Sequence, residues 1–302
     1  MKYRTYPGTD IRASEVGFGL WTLAAGWWGE FTDEQAVALL HRAHDLGITL
    51  FDSGDTYGNG RADELLRKAF GDRRDRITIT TKIGYDFYNH PDARRGQQEI
   101  PHNADPAFIR MAVEQSLERM GTDVIDIVSF HNTKEEHVPD DAIWETLQRL
   151  QDEGKIRAWG GALGPSNGYL FEGLDLVPRS WLINGLQKLE ALRWLHEGRG
   201  MTIGQAALKW LLASPVVMTT LPNIYNVEQL EEFAAAPDLP DLTADDLAKV
   251  AELQRTNFGV HEDHMRYKGT MVREGEPLGP VYRYAGDGFP GAPQVAETAA
   301  AD

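Results

Sequence analysis

Short β-rich runs alternate along the chain with longer segments whose apolar residues recur every three to four positions. This alternation predicts strand–helix–strand units and a parallel sheet. The predicted strands are residues 16–23, 49–52, 77–81, 124–130, 156–163 and 216–221. The predicted helices are residues 33–45, 105–120, 141–152, 181–196 and 202–212.

A long polar segment follows the third of these strands. Residues 84–104 are rich in Tyr, Asn, Pro, Gly and Arg, and they leave the strand at the edge that carries the active site in barrels. No Gly-x-Gly-x-x-Gly turn follows the first strand, which argues against an open dinucleotide-binding sheet. We therefore predict an α/β fold with a (β/α) TIM-like barrel. Such a barrel has eight strands, and the sequence pattern identifies six of them, so the predicted barrel is incomplete.

Both ends of the chain depart from the barrel pattern. A Pro7-Gly8 turn between two β-like pieces predicts a hairpin at the N-terminal end of the barrel. We expect one barrel domain over residues 1–257 and an irregular segment over 258–284. Residues 285–302 are rich in Gly, Pro and Ala, which predicts a disordered tail.

Charge and composition narrow the choice of partners. The chain has 30 Lys and Arg against 46 Asp and Glu, a formal net charge of −16, and no cysteine. That sign disfavours nucleic acid and anionic membranes, and the missing thiols exclude disulfides and cysteine nucleophiles. No signal-peptide pattern opens the chain, and no apolar run approaches the ~20 residues of a membrane span. We expect a cytoplasmic protein with a small-molecule substrate, and homo-oligomers stay open.

Polar groups with complementary chemistry follow three consecutive predicted strands. Asp52 and Tyr57 follow the second strand, Lys82 follows the third, and His131 follows the fourth. A lysine ammonium beside a phenol lowers the phenol's pKa, and a carboxylate keeps the lysine charged. Such a tyrosine can protonate a carbonyl oxygen at neutral pH. Taken singly, these residues have ordinary interpretations as a strand-end cap, a surface cation and a polar core group.

The order and spacing of these segments resemble the aldo-keto reductase family. The likeness rests on Asp52 and Tyr57 at their five-residue separation and on the segments 18–21, 81–84, 130–132, 221–223 and 227–232. It covers roughly residues 1–163 and 181–255. The resemblance implies a reductase that takes hydride from NADPH, with NADH left open, and passes it to an aldehyde or ketone.

The resemblance also implies a role for each residue of the set. Tyr57 would be the general acid, Lys82 would lower its pKa, and His131 would orient the carbonyl. Asp52 would anchor Lys82 and touch the nicotinamide ribose. The adenosine end of the cofactor would lie against Asn223, Asn226, Gln229 and Glu232. Aromatic residues near the predicted barrel mouth are candidates for substrate binding, although such residues often only pack: Trp21, Trp27, Trp28 and Tyr85.

The chain departs from the family pattern on the cofactor side. The family's sixth and seventh strands hold the nicotinamide carboxamide, an aromatic that stacks on its ring and a loop over the pyrophosphate, and none of these has a recognisable counterpart. The family's Ser-Asn pair comes three residues late, as Ser166-Asn167, and Gln229 stands where many members place a cation. The sequence thus keeps the family's proton-transfer residues and departs from its hydride-donor site.

Two other classes of function therefore stay open. One is a cofactor-independent isomerase, dehydratase or lyase that uses Tyr57, Lys82 and His131 for proton transfer. The other is a binding or regulatory subunit without turnover. The run His261-Glu262-Asp263-His264 has neither a helical pattern nor cysteine partners, so we predict a solvated loop there and no metal site.

Overall fold

The structure is a computed structural model that describes residues 1–26, 29–90, 100–133, 137–162, 179–260, 282–284 and 293–295. Its strands are β1 (Tyr3–Thr5), β2 (Arg12–Ser14), β3 (Phe18–Gly19), β4 (Leu50–Asp52), β5 (Thr78–Ile83), β6 (Ile125–Phe130), β7 (Ile156–Gly161), β8 (Tyr282–Tyr284) and β9 (Pro293–Val295). Its α-helices are α1 (Trp21–Ala24), α2 (Asp33–Asp45), α3 (Arg61–Phe70), α4 (Pro106–Met120), α5 (Asp141–Asp152), α6 (Arg179–Ala191), α7 (Ile203–Leu212), α8 (Val227–Ala235) and α9 (Ala244–Arg255).

Five parallel strands form the central sheet in the order β3-β4-β5-β6-β7, so each strand pairs with its neighbour in the chain. Helices connect most of these strands, as the alternating periods predict. The register places Asp52 opposite Thr80 and Lys82 opposite Ser129. The carboxyl ends of β4, β5 and β6 therefore meet at one edge of the sheet.

The first and last predicted strands need correction. Residues 16–23 yield only the short β3, because the chain turns into α1 at Trp21. Residues 216–221 form no strand, and only an isolated parallel bridge joins Thr220 to Val16. Val216 is 83% exposed, so its β-branched side chain does not mark a buried strand.

Capping residues set the ends of the predicted helices. Thr32 and Gln35 form a capping box at the start of α2. Asp105 caps α4 at its start, and Gly121 ends it with a left-handed φ of 65°. Residues 33–45 and 141–152 are helical as predicted, whereas residues 181–196 divide into α6 and a 3₁₀ turn at Arg193–Leu195. The sequence analysis did not predict α3.

The predicted N-terminal hairpin is confirmed. β1 and β2 pair in antiparallel register, with Tyr3 opposite Ser14. The Thr78 hydroxyl donates to the Arg12 carbonyl at 2.9 Å, and the Ser14 hydroxyl oxygen accepts from the Thr49 amide at 3.0 Å. The hairpin therefore binds the N-terminal ends of β4 and β5, opposite the edge where the polar residues lie.

The main core lies between the sheet and its helices. Its largest fully buried side chains include four phenylalanines: Phe18, Phe51, Phe70 and Phe130. The rings of Phe51 on β4 and Phe70 on α3 lie 4.7 Å apart between centroids, which joins α3 to the sheet. This packing holds in place the turn that connects the two elements and carries Tyr57.

The C-terminal region is described only in part. β8 and β9 pair in antiparallel register, while residues 261–281, which include the His261–His264 run, lie outside the described residues. The division into a barrel, an irregular segment and a tail stays a prediction, as does the cytoplasmic location. Within the described part of the chain, no helix is both long and apolar enough to cross a membrane.

Asp126 offers a test of what holds the strands together. Its side chain is 4% exposed and accepts from Arg74 at 2.7 Å, from the Ile79 amide at 2.8 Å and from Arg157. Asp126→Ala leaves two guanidinium groups without this partner, so we expect the free energy of unfolding to fall by about 3 kcal/mol in denaturant titrations. Asp10→Ala is the control, because Asp10 pairs with the same Arg157 while 90% exposed. Equal losses in the two variants would contradict the prediction.

Candidate active site

The carboxyl ends of β4 and β5 hold a buried ion pair. The Lys82 ammonium lies 2.6 Å from both carboxylate oxygens of Asp52 and donates to the Ser53 carbonyl at 3.0 Å. The Lys82 side chain is 17% exposed and that of Asp52 is 10% exposed. Burial lowers the pKa of Lys82, but the Asp52 carboxylate and the Tyr57 oxygen raise it by more, so its pKa lies above the usual range. Lys82 therefore stays charged at neutral pH.

The segment after β4 brings Tyr57 to this pair. The Ser53 amide donates to the Thr80 carbonyl at 2.7 Å, and the Asp55 amide donates to the Lys82 carbonyl at 3.0 Å. The chain therefore continues alongside β5 beyond the end of β4. The amide of Tyr57 then donates to the Gly54 carbonyl at 2.8 Å and closes a turn. The Lys82 ammonium lies 5.2 Å from the centroid of the Tyr57 ring, which is nearly buried.

His131 enters the site from the end of β6. Its amide donates to the Ile83 carbonyl at 2.8 Å, which continues the β5–β6 ladder by one residue. His131 is 6% exposed, and its ring centroid lies 5.9 Å from that of Tyr57 and 4.9 Å from that of Tyr85, edge to face in both cases. The four residues predicted for proton transfer are thus brought together.

Aromatic side chains surround this set. Trp21, at the start of α1, meets the Tyr57 ring edge to face at 4.9 Å between centroids. The Tyr85 hydroxyl accepts from the Asn132 side chain at 2.8 Å. Two of the four predicted substrate-binding residues therefore border the site, while Trp27 and Trp28 lie outside the described residues.

Apart from Asp52, the predicted cofactor residues lie on and before α8. The Asn226 side chain caps α8 by accepting from the Gln229 amide at 2.8 Å, and Gln229 in turn accepts from the Tyr225 amide at 3.2 Å. Glu232 accepts from the Thr202 hydroxyl, and Asn223 is exposed. The Thr22 hydroxyl donates to the Ile224 carbonyl at 2.7 Å, which joins this segment to α1 and so to the edge that holds Tyr57.

Sequence reasoning missed two supporting residues of the site. Ser53 supplies the carbonyl that accepts from Lys82, and its position directly after Asp52 was the available signal. His102 donates to the His131 carbonyl at 2.8 Å and stacks on Tyr85 at 4.1 Å between centroids. No sequence pattern pointed to His102, because it lies in the long segment between β5 and α4.

The described residues form a parallel α/β sheet with a Tyr-Lys-Asp-His cluster at the carboxyl ends of its strands. A model described as the aldo/keto reductase family matches residues 15–162 and 175–255. The chain belongs to the aldo/keto reductase family.

Curated relatives match about half of the chain. Aldo-keto reductase YhdN of Bacillus subtilis is 33% identical over 162 residues, which are 53% of this chain and 46% of that protein. Aldo-keto reductase yakc [NADP(+)] of Schizosaccharomyces pombe is 35% identical over 147 residues, 48% of this chain and 41% of that protein. The chain thus spans about half the length of the curated relatives it matches.

Solved structures of aldo-keto reductases resemble the fold over most of the chain. The holo form of an aldo-keto reductase from Bacillus halodurans has a TM-score of 0.63 at 22% identity, covering 84% of this chain and 96% of that one. An aldo-keto reductase from Klebsiella pneumoniae in complex with NADPH has a TM-score of 0.59 at 22% identity, covering 87% and 96%. These neighbours confirm the predicted barrel class.

The close approach of Gly54 to Tyr57 yields a prediction. A Cβ at Gly54 would lie 2.9 Å from the Tyr57 ring, which Trp21 and His131 contact from other sides. We expect Gly54→Ala to lower the free energy of unfolding by about 1–3 kcal/mol, because the ring must shift within packed surroundings. Gly160→Ala is the matched control, since a Cβ there meets nothing within 4 Å. Denaturant titrations that give equal stabilities for the two variants would show that the ring is free to move.

Proposed function

We propose that this protein is an NADPH-dependent reductase of an aldehyde or ketone, with Tyr57 as the general acid. The observation that carries the proposal is the Lys82 ammonium, which two Asp52 oxygens hold at 2.6 Å beside the Tyr57 ring. Membership of the aldo/keto reductase family supports an oxidoreductase.

The chain's own residues supply the proton. Lys82 favours the phenolate form of Tyr57, so the phenol gives up its proton more readily than an ordinary tyrosine. Asp52 keeps Lys82 charged by raising its pKa against the effect of burial. Tyr57 then donates its proton to the carbonyl oxygen, and His131, edge-on to Tyr57, orients that oxygen. Trp21 and Tyr85 exclude water beside it.

The polar side chains on and before α8 are of types that can bind a dinucleotide. NADPH would supply the hydride that reduces the carbonyl carbon. The exposed amide side chains of Asn223 and Asn226 would hold the adenosine end, and the N-terminus of α8 favours a phosphate. Gln229 and Glu232 lie on the following turns. Two similar proteins support this cofactor. The Schizosaccharomyces pombe relative has NADP(+) in its name, and the Klebsiella pneumoniae structure is a complex with NADPH.

The first test is binding of the cofactor. We titrate the purified chain with NADPH and with NADH and follow the fluorescence of the reduced nicotinamide. Saturable micromolar binding is expected, and Tyr57→Phe should bind equally well, because the phenol serves proton transfer. A folded protein that binds neither dinucleotide would overturn the reductase function and direct the search to proton transfer without a cofactor.

The second test removes the proposed acid. Tyr57→Phe keeps the packing against Trp21 and removes the proton, so we expect kcat for carbonyl reduction to fall about 10²- to 10⁴-fold. Tyr3→Phe is the control, because the Tyr3 hydroxyl donates to the Gly47 carbonyl away from the site. Turnover by Tyr57→Phe equal to that of Tyr3→Phe would exclude Tyr57 as the acid.

A further inference from the structure

A second buried ion pair lies behind the site. Asp63, in the first turn of α3, has a side chain that is 0% exposed and receives Nε and Nη2 of Arg119 at 3.1 and 2.9 Å. Arg119 comes from the last turn of α4, and its side chain is 15% exposed. A carboxylate this deeply buried depends on its cation, because unpaired it would lose its hydration without compensation.

This pair is joined to Lys82 through one residue. The Ser53 hydroxyl donates to the other carboxylate oxygen of Asp63 at 2.6 Å. The carbonyl of the same Ser53 accepts from the Lys82 ammonium at 3.0 Å. Ser53 therefore lies between two buried ion pairs, and a shift of Asp63 moves an oxygen that helps to hold Lys82.

Arg119 also contacts the two segments that flank the site. It donates to the Tyr88 hydroxyl at 3.3 Å, in the segment that follows β5 and Lys82. Its side chain packs over Gly60, where an added Cβ would lie 2.7 Å from the Arg119 Cδ. Gly60 follows Tyr57 by three residues, directly before α3, and adopts a φ of 94°. The Arg119 side chain thus contacts the turn after Tyr57 and the segment that follows β5.

We propose that Arg119 is a positioning residue, which holds Tyr57 and the Lys82 ammonium in register through Asp63, Ser53 and Gly60 without contacting substrate. The inference rests on the proposed function for its kinetic consequence. Its structural consequence is independent of that function, because the ionisation of Tyr57 depends on the distance to Lys82 whether or not a carbonyl is reduced.

The kinetic test compares arginines on one helix. We expect Arg119→Gln to lower kcat about 10-fold or more while KM for the carbonyl changes less than 2-fold, since small misplacements of a proton donor cost rate. Arg119→Lys should regain part of kcat by keeping a cation beside Asp63. Arg110→Gln is the matched control, because Arg110 makes a bidentate ion pair with Glu153 on the exposed side of α4. Asp63→Asn, nearly isosteric, replaces Arg119→Gln if that variant fails to fold.

The second readout is the ultraviolet titration of the Tyr57 phenol. The Tyr57 signal is the difference in phenolate absorbance between a protein and the same protein carrying Tyr57→Phe. This difference is measured for the wild type, for Arg119→Gln and for Arg110→Gln. We expect the Tyr57 midpoint to rise above that of the wild type only in Arg119→Gln, because a displaced ammonium stabilises the phenolate less. An identical midpoint in the two arginine backgrounds, or an unchanged kcat in Arg119→Gln, overturns the inference. If the wild type reduces no carbonyl, the proposed reductase function fails, and the Tyr57 midpoint alone decides the role of Arg119.

Discussion

The ion pair between Lys82 and Asp52 is the constraint on which the site depends. Two charges this little exposed lose most of their hydration, and only a close geometry with further polar partners offsets that loss. The partners come from the strands, because the parallel register sets Asp52 opposite Thr80 and brings the Ser53 carbonyl to the ammonium. The pair therefore requires β4 and β5 to meet in one register, and the Tyr57 turn is built on that junction.

The residues proposed for proton transfer and those proposed for the cofactor lie on different parts of the fold. Asp52 ends β4, Lys82 lies one residue before the end of β5 and His131 directly follows β6, so three adjacent strands position them. In the described residues no strand pairs with the outer edge of β7, and the segment before α8 pairs with the sheet at the bridge between Thr220 and Val16. The residues proposed for proton transfer therefore lie apart from α8, and the hydrogen bond from the Thr22 hydroxyl of α1 to the Ile224 carbonyl links the two regions.

Much of this arrangement could be read from local patterns. Strands β4 to β7 and helices α2 and α5 follow from hydrophobic periodicity and capping residues, which act within a few neighbours. The segment 216–221 has the same β-branched composition but lies largely exposed at Val216, so composition alone misled there. Helix α3 was missed because it is short and begins inside the polar turn after Tyr57, although Ala62, Leu65, Leu66 and Ala69 have helical spacing.

Periodicity and motif spacing were sufficient for the order of the strands, the edge at which they end and the proximity of Asp52, Tyr57, Lys82 and His131. They carried no information on Arg119, Asp63 or His102. The reason is physical: the period of apolar residues reports which face of an element is buried, and that is a local property. The partner of a buried polar group is decided by how helices from distant parts of the chain pack, and only the tertiary structure brings Arg119 of α4 against Asp63 of α3 and the Ser53 hydroxyl.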